Sequence, residues 1–168
     1  MAEHSDRITV EIPWARAWQG INVACVRQVT NVEAGRVQRY GATNSFSIGL
    51  AMHILGSLGE QAVAKWLGEY WDGAIGDFSA GDVGKLQVRA MEHATHKLIL
   101  HDSDSDNDKF ILAYVTGTNH NAIIVLYGWC YGREGKSKEF EMAPNDRPPA
   151  YFIPPLRLRP MRTLKGDS

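Results

Sequence analysis

Cysteine is scarce in this chain, and the scarcity excludes two classes of structure. The 168 residues include two cysteines, Cys25 and Cys130, which lie far apart in the sequence. A disulfide scaffold, or a zinc site built from cysteine alone, needs more thiols than this. The composition is typical of a reducing compartment, and we therefore expect a cytoplasmic protein.

Long apolar runs and an excess of charge are also missing. The longest apolar run, Ala122 to Tyr127, is far shorter than the ~20 residues that span a bilayer. Charged residues precede any apolar stretch at the N-terminus, unlike a secretory signal, so we expect no membrane partner. With 18 basic and 19 acidic side chains the formal net charge is −1. Attraction to nucleic acid would have to come from local arginine clusters, which occur in the first quarter and near the end.

Two helices are predicted in the first half of the chain. Apolar residues recur at helical spacing from Pro13 to about Val29. A second apolar stripe from Ser47 to Tyr70 predicts a longer helix, which Gly68 or Gly73 would end. By the same spacing the tryptophans are mostly core residues: Trp14, Trp18, Trp66, Trp71 and Trp129.

The second half is predicted to be β-rich. Short β-prone runs follow one another at Leu86 to Ala90, Lys97 to His101, Phe110 to Val115, and Ile123 to Tyr131. Because no helical pattern separates them, we expect an antiparallel meander with the acidic run Asp102 to Asp108 at a hairpin tip. The tail from about residue 143 holds six of the seven prolines. It should be extended and not helical, with an edge strand at Ala150 to Ile153.

These elements predict the fold class. We expect an α+β protein in which N-terminal helices pack on a mostly antiparallel mixed sheet. With 44% apolar residues and no long linker, residues 1–168 are predicted to form a single domain, with the Pro-rich tail running over its surface.

Residues near the junction of the two halves could serve phosphodiester chemistry. Gln87 and Arg89 share one face of a predicted strand, whereas Val88 enters the core. The oxygen ligands available to Mg²⁺ or Mn²⁺ are the side chains of Glu60, Asp82 and Gln87 and the carbonyl of Val88. Arg89 would supply positive charge beside the scissile phosphate.

The order of these residues resembles the PD-(D/E)xK, or restriction-endonuclease-like, superfamily. The resemblance rests on Gly59-Glu60 in a helix, Asp82 at a turn, and Gln87-Val88-Arg89 on a strand. The wider sequence, including Gly128-Trp129 and Ala150 to Pro155, is also similar to small uncharacterised proteins of tailed bacteriophages. The resemblance implies a restriction-endonuclease-like core, a phage origin, and a location in the cytoplasm of a bacterial host. It also implies a Mg²⁺ or Mn²⁺ cofactor and catalytic positions at Glu60, Asp82, Gln87 and Arg89.

Two of these positions differ from the superfamily pattern. Gln87 stands where an acid binds metal, so the metal site has one charge fewer. Arg89 stands where lysine positions water, and a pKa above ~12 leaves phosphate binding as its role. Only four residues separate Asp82 from Gln87, and Asp77 is an alternative aspartate with more room for a hairpin.

Two functions follow from this resemblance. The first is a metal-dependent nuclease, or a DNA-processing protein derived from one, that cleaves phosphodiesters with a metal-bound water. The second is a catalytically degraded module on the same scaffold. Such a module would bind nucleic acid, with DNA as the expected form, or a host protein, for example as an inhibitor of host defence.

Three further patterns are weaker. Gly135-Lys136-Ser137 lacks the first glycine of a P-loop and a following helix. The aspartates at 102, 104 and 106 lack the closing glutamate of a calcium loop, which favours a solvated hairpin tip. His93, His96 and His101 could approach one another, but histidine without cysteine is weak evidence for zinc.

Overall fold

The computed structural model describes residues 6–35, 45–73, 81–117, 120–143 and 148–166. Asp77, the alternative metal aspartate, lies outside the described residues. Within them the chain is α+β, as expected, with four helices and two layers of mostly antiparallel strands. The helices are α1 (Trp14–Glu33), α2 (Phe46–Leu67), α3 (Gly132–Gly135) and α4 (Met161–Leu164).

The strands form two sheets. They are β1 (Ile8–Ile12), β2 (Leu86–Met91), β3 (Leu98–Leu100), β4 (Lys109–Gly117), β5 (Ala122–Tyr131), β6 (Glu141–Met142) and β7 (Ala150–Ile153). The larger sheet has the order β1-β5-β4-β2, and the smaller has the order β3-β7-β6. β1 was not predicted from the sequence, and it pairs antiparallel with β5.

The predicted meander is wrong in its first two steps, because β3 pairs with neither β2 nor β4; its last step, the antiparallel pair of β4 and β5, is confirmed. β2 pairs with β4 in parallel, with Leu86 opposite Lys109, and the chain between them leaves the sheet to form β3 in the smaller one. The acidic run from Asp102 to Asp108 therefore connects two sheets and is not a hairpin tip. A parallel pair needs such a crossover, because its two strands run in the same direction.

Both long helices lie where the sequence predicted them. α2 ends at Gly68, whose φ of +79° is the left-handed conformation that favours glycine at a helix end. α2 packs on one face of the larger sheet, and α1 packs on α2. No helix among the described residues is long and apolar enough to cross a membrane.

The hydrophobic core has two parts, one on each face of the larger sheet. The part under α2 includes Leu58, Val63, Ile111, Ile124 and Trp129. The part between the sheets includes Leu98, Leu100, Phe110, Leu112 and Ile153. α2 comes closest to the sheet at Gly59, where a Cβ would lie 2.9 Å from Ala90 Cβ and 3.2 Å from Val88 Cγ1.

The proline-rich tail differs from its prediction. It contains a 3-10 turn at Pro155–Arg157 and the short helix α4, each starting at or just behind a proline. Proline is tolerated at the first position of a helix, where its missing N–H has no partner to lose. β7 is the central strand of the smaller sheet and not an edge strand. The tail is fastened to the core, since Trp129 Nε1 donates a 3.0 Å hydrogen bond to Thr163 Oγ1.

Candidate functional site

The helix glutamate of the predicted site is buried in a network of donors. Glu60 is 4% exposed. Arg27 reaches it from α1 in a two-pronged contact, with Nη1 2.7 Å from Oε1 and Nη2 3.0 Å from Oε2. Trp71 Nε1 donates a further hydrogen bond of 2.9 Å to Oε2. Both carboxylate oxygens are therefore engaged by donors of the protein itself.

Arg27 was missed in the sequence, although a signal for it was present. It shares a helical face with Gly20 and Ala24, two small residues that are buried against α2. Burial alone would lower the pKa of Arg27, but the hydrogen bond and the negative charge of Glu60 outweigh that effect and raise it. The guanidinium is therefore permanently charged, and it compensates a carboxylate that would be costly to bury alone.

Asp82 lies in a tight turn at the start of β2, within electrostatic range of Glu60. Its backbone N–H donates to the Leu86 carbonyl at 2.8 Å, and its Oδ2 accepts the Val88 N–H at 2.6 Å. Burial raises the pKa of Asp82, and the charge of Glu60 raises it further, against the opposing effects of the Val88 N–H and two arginines. The two predicted metal carboxylates therefore influence each other electrostatically, and each is already held by N–H donors of the protein itself.

The three predicted strand residues lie on two faces of the larger sheet: Val88 faces α2, whereas Gln87 and Arg89 lie on the opposite face. Val88 is 6% exposed and packs toward Gly59 of α2, as the sequence predicted for a core position. Side chains alternate along a strand, so Gln87 and Arg89 lie on the face away from α2. There Arg89 Nη2 is 3.1 Å from Asp104 Oδ1, and its guanidinium lies 5.2 Å from the centre of the Phe110 ring.

This arrangement of donors restricts the binding of a divalent ion at Glu60. Among the described residues, no three His, Cys, Asp or Glu side chains are grouped to hold a metal. Mg²⁺ needs free oxygen ligands in near-octahedral geometry. The oxygens of Glu60 already accept three hydrogen bonds, so an ion at this position would have to displace Arg27.

The Arg27–Glu60 ion pair belongs to a layer of polar side chains between the two long helices. We define the polar layer as Arg27, Gln28 and Asn31 of α1 with His53, Glu60 and Gln61 of α2. Asn31 Nδ2 lies 3.1 Å from His53 Nε2, and Gln61 Nε2 donates to the Arg16 carbonyl at 3.0 Å. Burial and the nearby charge of Arg27 lower the pKa of His53, so this imidazole is neutral at physiological pH.

A cavity of about 340 Å³ opens beside this layer, and Trp71 forms part of its wall. Its lining includes Arg16, Gln61, Lys65, Glu69 and Tyr70. Gln61 is 5% exposed, and its Oε1 accepts no hydrogen bond from the part of the chain that the structure describes. A buried acceptor without a donor carries a desolvation penalty, so this atom weakens the fold locally.

A cationic cluster lies at the same end of the larger sheet as Asp82. We define the cationic cluster as Lys109, Arg133 and Arg159, whose charged groups lie 5.6, 4.2 and 5.5 Å from the centre of the Tyr131 ring. Lys109 pairs with Leu86 on one side and with Tyr131 on the other, which places it beside the turn that holds Asp82. Glu134 forms an ion pair with Arg159 and offsets part of this positive charge.

The acidic connection between the sheets is an ordered structure. Lys136 Nζ donates to the carbonyls of Asp102 and Asp104 and lies 2.8 Å from Asp106 Oδ1. An ammonium group thus occupies the place where these oxygens converge, while most residues of the run remain exposed, as expected. The rings of His93 and His96 lie 4.9 Å apart on exposed residues, whereas the His101 N–H donates to Asp104.

Comparison of the chain with family models, with curated proteins and with solved structures gives no match. A functional proposal therefore rests on the residues and their arrangement alone. The arrangement joins a buried Arg27–Glu60 pair, a shielded Asp82 and a cationic cluster at one end of the sheet.

Proposed function

We propose that this chain is a nuclease-derived module, on a restriction-endonuclease-like core, that binds nucleic acid without cleaving it. The observation that carries the proposal is the two-pronged contact of Arg27 with Glu60. In this arrangement a fixed guanidinium stands where the superfamily pattern implies a divalent ion. The packing of α2 over β2, with Asp82 at the turn before the strand, supports the same scaffold.

The guanidinium supplies charge but no reactive group. A metal ion in a nuclease activates a water molecule and stabilises the developing negative charge. Arg27 offers N–H donors in a rigid plane, and these are directed at Glu60. Its raised pKa also prevents it from acting as a base. The site therefore retains electrostatic balance while lacking a way to generate the nucleophile.

The cationic cluster is the proposed contact for the phosphate backbone. Arginine and lysine bind phosphate, and an adjacent aromatic ring offers a surface on which a base can stack. Three cations surround one half-buried tyrosine, Tyr131, beside the Asp82 turn. The near-zero net charge makes such a local cluster necessary for binding, and we propose DNA as the partner.

The test is a salt series of DNA binding, measured by fluorescence anisotropy with single- and double-stranded oligonucleotides. Replacing Lys109, Arg133 and Arg159 by alanine should lower the affinity and reduce the salt slope by up to about 2.7, since each phosphate contact on B-DNA contributes ~0.9. The matched control replaces the exposed Lys97 and Lys138, which lie outside the cluster, and should bind like the wild type. Equal binding by the triple variant and the control would refute the proposed contact.

A second candidate function is an active metal-dependent nuclease, and one observation favours it. Burial raises the pKa of Asp82, and the negative charge of Glu60 raises it further, so the two carboxylates repel each other electrostatically. A divalent ion stabilises such a pair. The test is cleavage of DNA and RNA in Mg²⁺ and Mn²⁺ by the wild type, by Glu60→Gln and by Asp82→Asn. Cleavage that both substitutions abolish would establish the nuclease and overturn the non-cleaving module, whereas intact substrates with the wild type would exclude the nuclease.

A further inference from the structure

The apolar and polar faces of α1 are reversed relative to those of an ordinary surface helix. Its large apolar side chains face solvent: Trp14 (60% exposed), Trp18 (61%), Val26 (47%), Val29 (44%) and Val32 (57%). The prediction that Trp14 and Trp18 are core residues is therefore wrong. A surface helix normally turns its apolar residues toward the core, so this outward face requires an explanation.

The face of α1 that packs on α2 is small and polar instead. Gly20, Ala24 and Gln28 are buried there, beside residues of the polar layer, and the apolar contacts of α1 with the core come from Ala17 and Val23. Turning α1 so that its tryptophans faced inward would separate Arg27 from Glu60 and leave a buried carboxylate uncompensated. The ion pair therefore holds the apolar face of the helix outward.

Six residues of α1 form a continuous apolar stripe along the helix. We define the apolar stripe as Trp14, Trp18, Ile21, Cys25, Val29 and Val32, which follow one another at intervals of three or four residues. This interval is typical of a helix that pairs with another helix along its length. The stripe contains no charged residue, and its two central members are half-buried.

We infer that the apolar stripe is a self-association surface, through which α1 of one copy pairs antiparallel with α1 of a second copy about a two-fold axis. The shape of the stripe supports an antiparallel pair. Its tryptophans lie in the N-terminal half and its valines in the C-terminal half. An antiparallel pair sets Trp18 opposite Val29 and Trp14 opposite Val32 of the other copy, so that each large ring meets a small side chain, as a self-complementary interface requires.

The charges of α1 support the same direction. The helix has no acid in its first turn and no base in its last turn, the two positions where charge would complement its own dipole. It carries instead Arg16 near its start and Glu33 at its end, both exposed. In an antiparallel pair the C-terminal end of one helix, with Glu33, lies beside the N-terminal end of the other, so that the two helix dipoles compensate each other.

The area of the stripe is sufficient for a dimer. Aromatic side chains present 150–250 Å² each, so the exposed fractions of Trp14, Trp18, Val29 and Val32, with the half-buried Ile21 and Cys25, amount to roughly 500 Å². Two copies would bury about 1,000 Å² together, which is the lower limit for a specific interface.

The decisive experiment is a charge exchange across the pair, followed by sedimentation velocity. The full-length wild type should be dimeric at high micromolar concentration, and Trp18→Glu or Val29→Lys alone should weaken the dimer by at least about 30-fold, because each buries an unpaired charge. An equimolar mixture of the two variants should regain a dimer. In that mixed dimer the introduced glutamate meets the introduced lysine at one contact, and the native Trp18 meets the native Val29 at the other.

The controls distinguish this pairing from general stickiness. Leu156→Glu changes a residue that is 76% exposed outside α1, and it should leave the dimer intact. Because both substituted α1 residues are exposed, circular dichroism should show unchanged folding for each variant. A monomeric wild type, a dimer insensitive to both substitutions, or a mixture no more dimeric than its components would each overturn the inference.

Discussion

Breaking the Arg27–Glu60 pair provides the most direct measure of the network at the candidate site. The two side chains are 16% and 5% exposed. Arg27→Met keeps the length of the side chain but leaves Glu60 with Trp71 as its remaining hydrogen-bond donor of those in the network. Removing one partner of a buried pair costs about 3–5 kcal/mol, so we expect a loss of that size in the free energy of unfolding.

Glu60→Gln and the double variant Arg27→Met/Glu60→Gln complete a double-mutant cycle. Glu60→Gln keeps an oxygen for Trp71 and leaves a guanidinium that is partly in contact with water, so its cost should be lower, about 1.5–3 kcal/mol. The double variant has no unpaired charge, and its loss should be smaller than the sum of the single losses by about 2 kcal/mol.

Urea unfolding at neutral pH, followed by tryptophan fluorescence, measures each free energy with a common slope. Losses that add to within about 0.5 kcal/mol would show that the two side chains are energetically independent. That result would refute the buried pair and, with it, the proposed replacement of a metal ion by Arg27.

Three further predictions concern single residues and are checked by the same unfolding assay. Burial raises the pKa of Asp82 in the folded protein above the ordinary value of 3.8. The stability that its protonated carboxyl contributes is therefore fully present below pH 3.8 and is lost as pH rises. The stability of Asp82→Asn relative to the wild type should therefore increase as pH rises above 3.8, and a difference that is constant with pH would contradict it. Ser57→Ala should stabilise by ~1 kcal/mol because its buried hydroxyl has no hydrogen-bond partner among the described residues. Gly59→Ala should destabilise by ~1–3 kcal/mol through contact with Ala90, whereas Gly117→Ala, which would place no Cβ within 4 Å of a described atom, should cost less.

The local features of this fold are readable in the sequence. Apolar spacing located α1 and α2, and Gly68 marked the end of α2 as expected. Short β-prone runs located four strands to within about two residues, since chain-local patterns determine where a strand lies. The alternation that sent Val88 inward and Gln87 and Arg89 to the opposite face was also confirmed.

The pairing of strands, the packing of helices and the contacts between side chains were less predictable, because they depend on residues distant in the sequence. The parallel pairing of β2 with β4 depends on β3 finding β7, which no local pattern records. The stripe of α1 was interpreted as core because periodicity identifies an apolar face without identifying what covers it. Glu60 was identified as a site residue, but its partner Arg27 lies on another helix and becomes evident only when α1 packs on α2.

The crossover between β2 and β4 has a consequence for the order in which the chain folds during synthesis. Leu98 and Leu100 of β3 are fully buried, and their cover is β7, where Leu98 pairs with Ile153. β7 is the last of the described strands to leave the ribosome, and until it pairs with β3 the apolar face between the two sheets lacks this cover. Such a face is prone to aggregate, and closing it through a long-range contact is slow. The pairing of β7 with β3 therefore determines when this part of the core is protected from water.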